Sequence, residues 1–185
     1  MRVKLEREEA VNKKLQKICV LLIGLLLLNI SAPIIYAADT ETEVEVEVYL
    51  NEFDEEYIKN VEFDDGSKVG DYTYTVEYAR RTRINTTLGN YFSYAAWIKR
   101  DGVVTLSLKP KNTVRYNRTT KNTAWNVLKN KTTGMGGSSN WKNETTLKWQ
   151  YDCHFDFATF KDYWNLEPHR KASSYAAVVI AKCNP

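Results

Sequence analysis

Cysteine and histidine are scarce in this 185-residue chain, at three and two. Cys153, His154, His169 and Cys183 are the correct ligand types for zinc. They stand adjacent, then 15 and 14 residues apart, with no CxxC or HxxxH pair, so the spacing of a structural zinc site is missing. No serine sits on a GxSxG-like elbow, which removes the nucleophile of the α/β-hydrolase pattern. Beyond residue 38 no apolar run approaches the roughly 20 residues that a membrane-crossing helix needs, which excludes a bundle of pore-forming helices. There is no internal repeat. No metal, cofactor or catalytic residue is assigned.

The N-terminus carries an export signal. MRVKLEREEAVNKKLQK holds six Lys/Arg against three Glu, ICVLLIGLLLLNI is its apolar core, and SAPIIYAAD offers small residues for cleavage. A cut between Ala37 and Ala38 puts Ile35 and Ala37 at the recognition positions; a cut one residue later would place bulky Tyr36 there. Residues 1–37 are therefore expected to be a signal peptide and the protein to be secreted. The alternative is an uncleaved signal anchor on the outer face of the membrane. About 148 residues remain, with Cys153 and Cys183 as the one cysteine pair, and export makes a disulfide the simplest use of them.

Charge divides the mature chain. Residues 38–80 hold fourteen acids against three bases, a balance of −11, and residues 81–185 hold seventeen bases against six acids, a balance of +11. Opposed halves suggest different jobs: an acidic β-rich segment over 38–80, a candidate pro-segment, and a basic, aromatic-rich, disulfide-containing domain over 81–185; the alternative is one permanent β-rich domain whose opposed charges neutralise. Arg80, Arg81 and Arg83 at the boundary would suit a trypsin-like protease.

The pattern predicts an α+β fold: antiparallel strands and a hairpin first, then short helices and an irregular, disulfide-stapled C-terminal region. ETEVEVEVYL (41–50) and DYTYTVEYA (71–79) alternate as strands, the first as a half-buried or edge strand. The polar stretch between them ends in a DDG turn. YFSYAAWI (91–98) and VVTLSLK (103–109) form a hairpin around KRDG, with Gly102 at positive φ. Trp125 and Leu128 mark a helix over 122–131, and TTGMGGSSN reads as a flexible connector. A further helix starts after WKN, with Asn143 or Thr145 as its cap and Leu147 and Tyr151 on one face. ATFKDYWNLEPHR reads as irregular, because Pro168 pushes Glu167 out of helical geometry. SYAAVVIA suits a buried strand or a short helix.

The C-terminal pattern of CH, WNLEPHR and AKCNP resembles an uncharacterised family of secreted domains from Gram-positive bacteria, actinobacteria included. The resemblance runs from about Tyr91 to Pro185. His169 stands where relatives often carry an aromatic ring, so no role of that ring is carried over. The whole design, an acidic front and a basic C-terminal part, is similar to clostridial bacteriocin precursors of the closticin type. That likeness implies antibacterial activity and names no catalytic residue.

The chemistry favours binding. Cysteine catalysis needs a free thiolate beside an imidazole, and a Cys153–Cys183 bond removes the thiol. Asp156 and Glu167 are the acids a glycosidase-type pair would use, but Glu167 also suits an ion pair with Arg170 that braces a loop formed by Trp164, Asn165, Glu167 and Pro168. Trp97, Trp125 and Trp164 are expected in the core. Trp141, Lys142, Lys148, Trp149, His169 and Arg170 are the candidate binding residues, since a basic aromatic surface attracts anionic polymers. The sequence therefore predicts a secreted, bacteriocin-like antibacterial protein, not an enzyme, acting on the anionic wall polymer or lipid surface of competing bacteria. An immunity protein in the producer is a further expected partner, and no specific nucleic acid is expected. The alternative is a non-lytic module that binds wall polymer or a protein partner.

Overall fold

Three valines at alternate positions, Val44, Val46 and Val48, anchor one face of the sheet. In the computed structural model, which describes residues 3–5, 42–49, 55–79 and 87–185, all three are buried. The strands are β1 (Val3–Leu5), β2 (Glu43–Val48), β3 (Thr73–Tyr78), β4 (Phe92–Arg100), β5 (Val103–Pro110) and β6 (Trp164–Leu166). Their order across the sheet is β1-β3-β2-β4-β5-β6. The α+β class follows as expected. Apart from Val3–Leu5, the stretch expected to be a signal peptide lies outside the described residues, as do the expected processing positions Ala37, Ala38, Arg80, Arg81 and Arg83.

The acidic segment is part of this sheet. β2 lies centrally, antiparallel to β4 and parallel to β3, rather than at an edge. The parallel pair requires a crossover, which the supposedly polar 51–70 stretch supplies through helix α1 (Glu55–Lys59). Ile58, Val61, Phe63 and Val69 point inward from this crossover and bury against Val44, Val46, Val48, Tyr94, Ala96 and Ile98. Its apolar residues are too widely spaced to be recognised as a period in sequence. The DDG turn forms as predicted, with Gly66 at φ 84°.

The β4–β5 hairpin turns through Asp101 and Gly102, at φ 51° and 76°. These are the positive values a two-residue hairpin needs. Its other face carries Phe92, Ala95, Trp97, Leu106 and Leu108, covered by helices α3 (Arg118–Leu128) and α4 (Glu144–Phe157); a one-turn helix α2 (Asn112–Arg115) precedes them. Asn117 caps α3 by accepting the Thr120 amide at 2.8 Å. Leu147 and Tyr151 bury together as their spacing implies, and Trp97, Trp125 and Trp164 are all core residues.

The glycine-rich connector is a packed element. A Cβ on Gly134 would meet the Val127 carbonyl oxygen at 2.0 Å, and one on Gly136 the Lys129 oxygen at 1.9 Å. The chain lies directly on the end of α3, with Met135 fully buried. Glycine is needed here for close backbone approach, not for mobility. The stretch read as irregular contains β6, paired with β5 from Leu106↔Leu166 to Leu108↔Trp164. SYAAVVIA resolves as helix α5 (Tyr175–Ile180), with Ser174 accepting the Ala177 amide.

Candidate functional site

Helix α4 organises the C-terminal surface. Gln150, buried on α4, bonds the Glu167 backbone twice: its Nε2 donates to the carbonyl at 3.1 Å, and its Oε1 accepts the amide at 2.7 Å. Asn143 holds the N-cap position of the helix, as one of the two expected caps, with φ 50°, but its side chain makes no capping bond; its Nδ2 donates to the Pro168 carbonyl at 2.7 Å. Thr146 Oγ1 accepts the Ala172 amide at 3.2 Å. Residues 167–172 are thereby strapped along the first turns of α4. Farther on, Cys153 and Cys183 are joined, with Cα atoms 5.3 Å apart.

This strap assembles part of the expected binding set. Lys142, His169 and Lys171 are exposed around the Asn143–Pro168 bond, with half-buried Arg170 among them. Arg170 also pairs with Glu167, the brace expected from sequence. Trp149 is half-buried against the cluster of Cys153, Val178 and Cys183. The other two candidates sit elsewhere. Trp141 packs on Trp97 and Trp125, with ring centroids at 6.5 and 5.6 Å, so it belongs to the helix–sheet core. Lys148 points to Asp152 and over the Trp125 ring.

The acids considered for catalysis are held in structural pairs. Asp156 accepts Arg118 at 3.0 Å and the Tyr175 hydroxyl at 2.6 Å, and Glu167 is engaged as above. An acidic pair not singled out from sequence occurs elsewhere: Glu47 and Glu77 stand opposite each other in the β2–β3 register. They line a hollow of about 310 Å³ with Glu45, Trp97 and Lys99. Burial, with Glu77 nearby, raises the Glu47 carboxyl above the ordinary range, while the Tyr49 hydroxyl, donating at 3.2 Å, opposes this. Among the described residues, no group of three or more His, Cys, Asp or Glu side chains is placed to hold a metal ion.

His154 is a core residue, 1% exposed. Its Nδ1–H donates to the Gln150 carbonyl at 2.9 Å, and its ring lies 6.1 Å from that of Trp164. Burial lowers its pKa below 6.5; Asp64 favours the charged form and Lys161 opposes it. The unfolded chain therefore takes up a proton near pH 6.5 that the folded chain refuses. The stability present above that pH should fall as the solution is acidified toward the folded pKa. His154→Phe keeps a ring of similar size and removes the titration. Its melting temperature is expected to change less between pH 7 and pH 5 than that of the native chain; equal slopes would refute the assignment.

Arg115 is a feature the sequence does not signal. It is 7% exposed and donates to the carbonyls of Pro110, Thr159, Lys161 and Asp162, at 2.9, 2.5, 2.5 and 2.6 Å. Its guanidinium also lies 5.7 Å from the Trp164 ring centroid. Five fixed donors suit such a cluster of backbone acceptors, and the loop carrying Phe160 is held in place. Lys121, 3% exposed, similarly reaches Asp152 at 2.6 Å. Lys121, between Thr120 and Asn122, carries no mark of burial in the sequence.

Residues 92–185, beginning at the first residue of β4, match the family described as Protein of unknown function (DUF2599). No curated protein and no solved structure matches the chain.

Proposed function

The chain belongs to this family of unknown function, and from that premise we propose that it is an exported, bacteriocin-like antibacterial protein that engages the anionic envelope of competing bacteria. The carrying observation is the basic tip. Lys142, His169, Arg170 and Lys171 flank the two residues joined by the Asn143–Pro168 bond, with Glu167 as the carboxylate bonded to Arg170. Many other cations are committed within the fold: Lys121 and Lys148 to Asp152, Arg118 to Asp156, Arg100 to Asp65 and Lys161 to Asp64. A cation already paired attracts an outside polyanion less than a free one. The disulfide beside the tip suits an oxidising, extracellular setting. The acidic strands beside the basic part lower the long-range field that draws it to envelopes, including that of the producer.

The test uses the double variant Lys142→Ala/Lys171→Ala, both at exposed positions. Each cation near an anionic surface contributes about 1 kcal/mol, so binding to purified Gram-positive cell walls should weaken about thirtyfold at low salt. Unchanged binding would remove the tip as the contact. Loss of viability and membrane potential in treated cells supports the antibacterial reading; binding without either leaves the non-lytic wall-polymer module as the function.

A further inference from the structure

On the face of the sheet that α1 covers, two hollows of about 540 and 510 Å³ run together. Both are lined by Glu62, Asp162 and Tyr163, and together they form a groove between the 62–66 turn and the 160–165 loop. Some of its acids are already matched. Asp64 pairs with Lys161 at 2.9 Å and accepts Asn184. Asp65 is bonded to Ser67 and to Arg100, which lower its pKa to about 2. Asp162 meets the Lys109 ammonium at 3.4 Å and is largely exposed. Among the described residues, the exposed Glu62 carboxylate has no hydrogen-bond or ion-pair partner.

A second, independent observation lies in the wall. Asn165, in the middle of β6, is 4% exposed and lines the larger hollow. Its Nδ2 donates to the Glu62 carbonyl at 3.2 Å, which fixes the orientation of the amide and leaves Oδ1 as the other end. That Oδ1 is buried and, among the described residues, has no partner. Ser107 stands opposite in register, but its hydroxyl is also without a partner and does not reach it. A buried acceptor left unmet is costly, so a ligand that donates to it gains affinity.

The unmatched groups of the larger hollow are therefore acceptors, a carboxylate and an amide oxygen; Lys68, which lines the smaller one, donates to the Asn60 side chain at 3.2 Å. Beside them are the Tyr163 ring and Phe160, which is 81% exposed on the loop clamped by Arg115. The acids here do not gather into a metal cluster, which favours an organic cation with directed N–H donors over a bare ion. Lys109 shows the chemistry at work: its ammonium sits on Asp162 and 5.2 Å from the Tyr163 ring centroid. We propose that this groove binds a primary alkylammonium group, the ammonium donating to Glu62 and Asn165 Oδ1 and its aliphatic stem lying on Phe160. The site is separate in chemistry from the basic tip and does not depend on it.

Hexylamine and Nα-acetyl-lysine amide are suitable probes, titrated into the full chain while the Asn165 side-chain amide and the Tyr163 ring are followed by NMR. Saturable shifts at both groups are expected. Hexanol, which lacks the charge, and tetramethylammonium, which lacks N–H donors, should bind at least tenfold more weakly. Glu62→Gln should weaken hexylamine at least tenfold and Phe160→Ala several-fold; both positions are exposed, and an unchanged melting temperature would verify the fold. The proposal is overturned by any one of three results: no saturable shift, equal binding of the control compounds, or full affinity in Glu62→Gln.

Discussion

A chain starting at residue 87 is expected not to fold as a stable monomer, although it contains the whole family region. In the intact protein, β2 pairs with β4 from Val44↔Arg100 to Val48↔Ala96. The front segment also covers Tyr94, Ala96, Ile98 and Tyr163 with Val44, Val46, Val48, Ile58, Val61 and Val69. Exposing a large apolar side chain costs about 1.5–3 kcal/mol, so uncovering three of these and Ala96 costs about 5–10 kcal/mol. That is comparable to the whole stability of an ordinary domain, about 5–15 kcal/mol. The truncation also opens an apolar strand edge, which invites pairing between copies. Size-exclusion chromatography with circular dichroism should show aggregates or an unfolded chain. Trypsin cleavage at the Arg80–Arg83 stretch of the intact protein should leave both fragments associated until denaturant is added. A folded, monomeric 87–185 would instead make the acidic strands a separable pro-segment, and release of the basic domain would become the working mechanism.

The second large effect concerns the staple. Cys153→Ala/Cys183→Ala opens a covalent loop with a sequence separation of 30 residues, for which the chain-entropy relation gives about 3–4 kcal/mol. For a protein of this size the melting temperature should fall by about 7–15 °C. The loss should be concentrated at the C-terminus, because the cluster under α5 is small: Val178 and the two half-cystines, with Trp149, Ala172, Tyr175 and Val179 around them. Trp149 emission should shift to longer wavelength before the rest of the protein melts. A fall of less than about 2 °C would mean that the straps from Gln150, Asn143 and Thr146 suffice without the disulfide. The basic tip would then be held by hydrogen bonds alone.

Sequence periodicity identified β2, β3 and the hairpin, because alternation of valine or tyrosine with polar residues has no other economical reading. It identified the α4 face through Leu147 and Tyr151 for the same reason. The 51–70 segment was opaque: only isolated apolar residues turn inward, and their burial depends on the parallel β2–β3 crossover. β6 was hidden because three residues before a proline make no period. Their strand character comes from β5 lying alongside. The glycine run was misread because close approach and mobility leave the same trace in sequence.

Among the site residues, Cys153–Cys183 and Glu167–Arg170 were legible, since an exported cysteine pair and acid–base neighbours three residues apart have few alternatives. Lys148 and Trp141 were not, because local context cannot tell a surface cation or indole from a committed one. The sequence by itself determined the fold class, the covalent staple, the tryptophan core and the division of charge, all of which rest on local pattern or on composition. Tertiary structure decided which charges remain available. Lys121 is neutralised by an aspartate 31 residues away and Lys161 by one 97 residues away, whereas Lys142 and Glu62 keep open surroundings. An ion pair is set by distance in space, and only the folded chain specifies that distance.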